Sequence, residues 1–364
     1  MIPRIRFPDL LGFGNRISRI SFSVSGVDVA AGSQGTNLDA EKVDIAWREA
    51  LALWTAVTPL EFQPALAGEE PRLRLSFVRD NQPSVAELGA TSGFISRTPT
   101  GLTGSASITI DCDNKLAVDR FLEPERLPTM PGPFDLVAVT AHEVGHALGL
   151  DHPPLDPATG KETEPAMMSR SFGNNLVRHL FPFDVREVQR LHGALQIAAT
   201  ISSPLSETGQ IIDPSSPEIL LQRGSFGLVL SGPMETRTFL DVLVPAKGHL
   251  INSLRLKFTT VTPNVFVNRA TVFDGIVPVQ TFAISARANA DDGLAGRPQD
   301  LRFGFLRRPK AGNDMIVRLE VFFTKKDGIP QSDFGVVQVE QIAVETILLS
   351  PVLTSVTAST SAPP

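Results

Sequence analysis

Apolar and polar residues alternate in several short segments of the first half of the chain, a pattern typical of half-buried β-strands. Residues 17–24 and 72–77 both show this alternation, and each predicts a strand. Residues 88–96 and 105–111 are expected to supply the remaining strands of a small twisted sheet.

Three further segments predict helices. The first, residues 39–56, has a stripe of apolar residues at helical spacing that is expected in the core: Val43, Trp47, Ala50, Leu51 and Trp54. The second follows Asp135, which is placed to cap its start. The third lies around residues 184–192, where Asp184 and Glu187 have the spacing of a capping box. Strands and helices together predict an α+β region.

The second half of the chain has a different pattern. Residues 196–218 are rich in Ser, Thr, Pro and Gly and are predicted to form a linker. Beyond them, alternating strand patterns recur with hardly a helical period, and Asp274-Gly275 and Asp327-Gly328 are candidate hairpin turns. Residues 219–350 should therefore form an all-β sandwich, with a jelly roll as one form of it.

These patterns divide the chain into four parts. We expect a first domain over residues 1–195, the linker at 196–218, a β domain over 219–350 and a disordered tail at 351–364. A chain of 364 residues, 42% hydrophobic and 20% charged, is long and apolar enough for two globular cores.

Composition and charge exclude several classes of function. The net charge of -6 and the lack of a basic cluster interleaved with aromatic residues argue against nucleic-acid binding. The single cysteine, Cys112, rules out an internal disulfide framework, and no apolar run approaches the length of a membrane span. Arginines near the start are not followed by an apolar segment, so no signal peptide is visible in this sequence.

The segment with the clearest chemistry is Ala-His-Glu-Val-Gly-His-Ala-Leu-Gly-Leu-Asp-His, residues 141–152. On a helix, His142 and His146 are one turn apart and project from the same face, with Glu143 beside them. Gly149 can take the left-handed conformation that ends a helix, which lets the chain reverse and return His152. Three imidazoles and an open fourth position are the arrangement of a catalytic zinc site.

At these residues the chain resembles the metzincin metallopeptidases. Their signature implies a methionine turn beneath the metal, and Glu164-Pro165-Ala166-Met167-Met168-Ser169 is similar to it, with Met168 the better match and Met167 the alternative. Residues 43–62 and 180–193 resemble the first and last helices of one metzincin family, the matrixins. The chain contains no tyrosine, which other metzincins place after the turn. The resemblance covers roughly residues 15–195.

The resemblance implies a metzincin-like fold, a twisted mixed sheet with three helices, and a zinc-dependent endopeptidase. His142, His146 and His152 would hold one zinc ion, and Glu143 would be the general base. The partner would be a protein or peptide substrate, paired with an edge strand at Leu88-Gly89-Ala90. The resemblance also implies a secreted protein, and we expect a monomer.

Other sites of the family are less well matched. No histidine precedes His142, so the second, structural zinc of many matrixins is not expected. Asp111 and Asp113 are candidates for a calcium site, although two loop aspartates are more often simply solvated. Ile5 stands where the matrixin propeptide switch has its cysteine, so no such switch is predicted.

Two alternatives remain open from the sequence. The protein is either an active peptidase or a zinc-containing binding protein that cleaves nothing and whose β domain carries the interaction. The β domain itself has no catalytic constellation; a substrate-docking module and a packing appendage both fit its sequence.

Overall fold

The computed structural model describes residues 17–31, 39–79, 88–98, 101–112, 116–117, 134–170, 180–195, 197–212, 215–224, 227–262, 265–284, 298–323 and 334–347. Their buried apolar side chains form two core clusters. One runs from Ile20 to Val188 and also takes in Leu306, and the other runs from Leu205 to Val344. The chain therefore has an α+β N-terminal region and a C-terminal region with its own core. The predicted tail 351–364 lies outside the described residues.

The strands of the N-terminal region are β1 (Ser18–Ser25), β2 (Leu60–Pro64), β3 (Leu73–Val78), β4 (Gly89–Gly93), β5 (Ser96–Thr98), β6 (Gly101–Thr103), β7 (Ala106–Asp111), β8 (Leu116–Ala117) and β9 (Phe134–Asp135). Five of them form one sheet in the order β2-β1-β3-β7-β4. β1, β2, β3 and β7 run parallel, whereas β4 pairs antiparallel with β7 at the edge. The predicted mixed sheet is confirmed.

Helices α1 (Val27–Ala31), α2 (Ala40–Thr55), α3 (Leu136–Ala147) and α4 (Pro182–His192) accompany this sheet. α2 is capped by Asp39, whose carboxylate accepts the Lys42 amide at 2.8 Å, and it packs against α3. Trp54 is fully buried there and its Nε1 donates to the Ala141 carbonyl of α3 at 3.0 Å. Asp135 caps α3, as predicted, by accepting the Ala138 amide at 3.3 Å.

The start of α4 corrects one prediction. The helix begins at Pro182, with Phe181 as its N-cap, so Asp184 is the third helical residue and not the cap. The predicted capping box of Asp184 with Glu187 is therefore wrong. The physical reason is that proline fits the first helical position, where no helical hydrogen bond needs its missing N–H, and the helix starts three residues earlier than the capping box predicts.

The C-terminal region is largely β-structure, as predicted. Its strands are β10 (Ile197–Ser202), β11 (Gln210–Ile212), β12 (Leu220–Gly224), β13 (Gly227–Pro233), β14 (Thr236–Val244), β15 (Leu250–Thr260), β16 (Val265–Asp274), β17 (Val277–Ala283), β18 (Pro298–Gly304), β19 (Met315–Phe323) and β20 (Phe334–Ile347). One antiparallel sheet has the order β12-β13-β20-β15-β18, with β10 also on β20, and the other has the order β11-β14-β19-β16-β17. Apolar residues of both sheets fill the second core.

Residues 197–212, within the predicted linker, form regular structure in the fold. β10 pairs with β20, β11 pairs with β14, and a short helix, α5 (Leu205–Thr208), lies between them. Leu205 is buried in the second core, and Ile201 and Ile211 pack against it. These few apolar side chains among Ser, Thr and Pro anchor the segment, because each buries surface that a linker would leave in water.

The two regions meet at the C-terminal end of α2. Arg308, in the segment after β18, has a fully buried side chain. Its guanidinium donates hydrogen bonds of 2.8, 2.7 and 2.9 Å to the carbonyl oxygens of Thr55, Thr58 and Leu60. Asn252 adds a bond of 3.1 Å to the Ala56 carbonyl. Because the last carbonyls of a helix have no partner within it, the C-terminal region satisfies those at the end of α2.

The same contact brings backbone against backbone. A Cβ on Gly304 would lie 2.3 Å from the Ala52 carbonyl oxygen, so only glycine allows this approach. Leu306 enters the first core, and its carbonyl accepts the Phe62 amide at 3.3 Å. The interface is therefore packed like a protein interior, which fits a stabilising role for the β region.

Candidate metal centre

Helix α3 and the turn after it carry the three histidines of the motif. α3 ends at Ala147, and Gly149 follows in the left-handed conformation with φ +84°. The amide of Gly149 donates to the His146 carbonyl at 2.8 Å, which closes the turn. The chain then reverses, as predicted from the position of Gly149, and His152 returns to the face that presents His142 and His146.

The three imidazoles converge on one point. One ring nitrogen from each of His142, His146 and His152 lies within 4.8 Å of the others. Nε2 of His142 and Nε2 of His152 are 3.3 Å apart. Two nitrogens of a tetrahedral zinc site with bonds of about 2.0–2.1 Å are separated by about 3.3–3.4 Å, so this spacing fits zinc. The residues present could hold a metal ion.

Backbone carbonyls fix the orientation of two of the rings. Nδ1 of His142 lies 2.9 Å from the Met167 carbonyl oxygen, and Nδ1 of His146 lies 2.9 Å from the Leu150 carbonyl oxygen. A carbonyl only accepts, so each Nδ1 carries the proton and each Nε2 keeps a lone pair. This is the arrangement by which metal-binding histidines are held in one tautomer.

The environment of His142 and His152 favours the neutral form of their imidazoles. The pKa of His142 is lowered to about 3, chiefly by burial and also by the neighbouring His146 and His152, although the bond to the Met167 carbonyl acts in the opposite direction. Burial is also the main cause that lowers the pKa of His152. Neutral imidazole is the form that binds metal, so both rings are ready to do so at neutral pH.

Glu143 lies next to the ligand set and is only 6% exposed. Thr91 of the edge strand β4 is 2.6 Å from its Oε2 and 3.1 Å from its carbonyl oxygen, measured from Thr91 Oγ1. A Cβ on Gly89 would lie 2.9 Å from the Glu143 Cγ. The sequence predicts Leu88-Gly89-Ala90 as the edge strand at the cleft but gives no sign of Thr91, because no local pattern links Thr91 to a residue 52 positions away.

The methionine segment packs against α3. Met168 is fully buried, and its Sδ would be 2.2 Å from a Cβ on Gly145, so the helix and this side chain are in close contact. Asp184 accepts the amides of Met167 at 2.8 Å and Met168 at 3.1 Å, as well as that of Phe181 at 2.8 Å. Burial nevertheless raises the pKa of Asp184. One buried carboxylate thus joins the methionine turn to α4.

Another histidine of the N-terminal region, His192, and the candidate calcium ligand Asp111 do not belong to the histidine cluster. His192 is fully buried and its Nε2 donates to the Leu148 carbonyl at 2.8 Å, so it packs against the end of α3 and is not part of the ligand set. Burial lowers its pKa to about 4. Asp111 is half-buried, while Asp113 and His179 lie outside the described residues. Within the described ranges, no group of three His, Cys, Asp or Glu side chains is found around Asp111.

No helix in the described parts of the chain is long and apolar enough to cross a lipid bilayer.

Comparison with known proteins finds a similarity in the N-terminal region. Residues 27–193 match the family model for matrixin. Stromelysin-2 of Rattus norvegicus is 26% identical over 232 residues, which are 62% of this chain and 45% of the relative. Interstitial collagenase of Bos taurus is 24% identical over 321 residues, 85% of this chain and 61% of the relative. The resemblance to the matrixins is confirmed.

Matrix metalloproteinase-C of Caenorhabditis elegans is 26% identical over 182 residues, 49% of this chain and 29% of the relative. The matched part of this chain thus covers 45% of the length of stromelysin-2, 29% of that of matrix metalloproteinase-C and 61% of that of interstitial collagenase.

Among solved structures, the family 11 carbohydrate-binding module from Clostridium thermocellum aligns with 42% of this chain and 98% of its own, at 9% identity and a TM-score of 0.26. The xylan-binding module CBM15 aligns with 42% of this chain and 99% of its own, at 7% identity and a TM-score of 0.28. These scores are too low to indicate a shared fold.

Proposed function

Since residues 27–193 match the matrixin family, we propose that the protein is a zinc-dependent endopeptidase that hydrolyses protein or peptide substrates. The observation that carries this proposal is the convergence of three imidazole nitrogens within 4.8 Å, with the buried Glu143 on the same helix. We propose the metzincin arrangement for the N-terminal region, which the mixed sheet and helices support. Secretion is proposed on the family resemblance.

His142, His146 and His152 are the residues that would hold zinc. They offer three imidazole nitrogens, and three protein ligands are typical of a catalytic zinc site, whereas a structural site has four. When bound, zinc supplies Lewis-acid chemistry, lowering the pKa of water toward neutrality and polarising a carbonyl group. The Met167 and Leu150 carbonyls hold the rings of His142 and His146 in the required tautomer. Met168 would be the methionine of the turn beneath the site.

Glu143 moves the protons in this proposal. Its carboxylate accepts a proton from the water that attacks the substrate carbonyl carbon, and later delivers a proton to the nitrogen of the leaving amine. The helix places Glu143 beside His142, and the side chain is largely shielded from bulk solvent. Shielding strengthens its interaction with the reacting groups, because water no longer screens them.

Strand β4 is the proposed binding site for the substrate backbone. One edge of β4 pairs with β7, and no strand pairs with the other edge among the described residues. An extended peptide can add to such an edge through main-chain hydrogen bonds, which do not depend on its side chains. The peptide would then lie along the strand that contacts Glu143.

The experiment compares the wild type with Glu143→Gln. Purified proteins are assayed for zinc content and for cleavage of a quenched fluorescent peptide library, with Glu187→Gln on α4 as the matched control. We expect zinc in all three proteins and a rate lower by about 10²–10⁴-fold in Glu143→Gln alone. Equal rates in all three would overturn the endopeptidase proposal and leave a zinc-binding protein.

A further inference from the structure

The hydroxyl of Thr91 lies against the Glu143 carboxylate. Thr91 is in the middle of β4, opposite Ile108 of β7, and its Oγ1 is 2.6 Å from Oε2 of Glu143. The same oxygen is 3.1 Å from the Glu143 carbonyl. A hydroxyl has one proton to donate, and about 2.5–2.7 Å is the usual length of an O–H···O⁻ bond. The proton therefore goes to the carboxylate.

Gly89 makes the room in which Glu143 lies. It is two residues before Thr91 on the same strand, so both residues face the same side of the sheet. A Cβ on Gly89 would lie 2.9 Å from the Glu143 Cγ and 3.0 Å from the Ile110 Cδ1. One strand thus provides the space for the stem of Glu143 and a hydrogen bond for its end.

We propose that Thr91 is a positioning residue for Glu143: its hydroxyl fixes the rotation of the carboxylate so that the base faces the attacking water. This inference rests on the proposed function. The last torsion of a glutamate side chain is broad, so without a partner the carboxylate samples many orientations. A hydrogen bond to one oxygen restricts that rotation and keeps the other aligned for proton transfer.

The position of Thr91 also connects the base to the peptide-binding edge. Thr91 belongs to the strand proposed to pair with the substrate backbone, but its hydroxyl is directed to α3. Removing the hydroxyl leaves the main chain of β4 unchanged. The loss should therefore affect the chemical step more than substrate binding.

Thr91→Val tests this inference, because valine keeps the shape of threonine and lacks the hydroxyl. Thr91→Ser keeps the hydroxyl, and Thr271→Val, at a partly exposed position of β16 in the C-terminal region, is the matched control. For each protein, kcat and KM on one peptide, the zinc content and the melting temperature are measured. We expect kcat to fall about 10- to 100-fold in Thr91→Val, with KM, zinc content and melting temperature close to wild type. Thr91→Ser should recover most of kcat.

The outcomes separate this inference from the proposed function. If Glu143→Gln cleaves as fast as wild type, the endopeptidase proposal fails. If Glu143→Gln is inactive but Thr91→Val keeps the wild-type kcat, the role of Thr91 alone is overturned. Equal losses in Thr91→Val and Thr91→Ser, or a loss of zinc in Thr91→Val, would also overturn it, because the hydroxyl would then not be acting through Glu143.

Discussion

Nε2 of His142 and Nε2 of His152 lie 3.3 Å apart although the two residues belong to different elements, helix α3 and the segment after it. The turn at Gly149 lets the chain return His152 to the helix, and the Met167 carbonyl orients the ring of His142. Both rings therefore face the same point. A metal ion bound there would tie the helix to the segment that follows it.

Zinc should therefore stabilise the folded protein. A ligand that binds only the native state adds about 4 kcal/mol at a thousand times its dissociation constant. We expect zinc to raise the melting temperature of the metal-free wild type and to have little effect on His152→Ala. His249→Ala, at an exposed position in the C-terminal region, should respond like the wild type. Equal shifts in all three proteins would mean that zinc binds elsewhere.

Gly89→Ala should impair cleavage more than stability of the fold. The added Cβ would meet the Glu143 Cγ at 2.9 Å, so the base must move. We expect kcat to fall about 10- to 100-fold, because the base is displaced from its aligned position, with zinc still bound. Gly224→Ala is the control, since a Cβ there meets nothing within 4 Å. A wild-type kcat in Gly89→Ala would show that Glu143 does not need this space.

Arg308→Met should destabilise the protein strongly. The substitution leaves the buried carbonyls of Thr55, Thr58 and Leu60 without their donor. We expect a loss of about 3–5 kcal/mol in the free energy of unfolding, measured by urea titration of tryptophan fluorescence. Both tryptophans, Trp47 and Trp54, lie on α2, so the signal reports the N-terminal region.

Arg255→Met is the control for Arg308. Arg255 is paired with Asp300 on an accessible surface, where such pairs contribute about 0–1 kcal/mol. If both variants unfold at the same urea concentration, the contact between the two regions does not stabilise the N-terminal region.

His192 should make the metal-free protein less stable in mild acid. Burial lowers its folded-state pKa to about 4, against about 6.5 in the unfolded chain. Between these values the unfolded state binds the proton and the folded state does not, so stability falls as the pH falls. We expect His192→Gln to lose about 2 kcal/mol less than the wild type between pH 7 and pH 5. Parallel losses would show that His192 titrates normally.

The convergence of the three histidines could be predicted from the sequence because its geometry is local. Helical spacing relates His142 to His146, and the glycine at 149 marks the turn that returns His152. The contacts that orient these groups are not local. Thr91 is 52 residues from Glu143, and Asp184 reaches the Met167 amide across 17 residues. Such contacts depend on how the elements pack, which no local pattern records.

The same reason explains why the sequence predicts a linker where the structure has β10, α5 and β11. β10 is identified by its pairing with β20, far along the chain, while its own residues are mostly Ser, Thr and Ala. The contact of Arg308 with Thr58 spans 250 residues. Alternation predicted the β-rich character of this region but not its attachment to α2.

The central claim is that three imidazoles bind one zinc ion and leave a position open for chemistry. The most direct measurement is a crystal structure of the zinc-loaded protein with anomalous diffraction at the zinc edge. We expect one peak at about 2.0–2.1 Å from a nitrogen of each of His142, His146 and His152, with no fourth protein ligand. A peak elsewhere, or a protein side chain closing the fourth position, would contradict it.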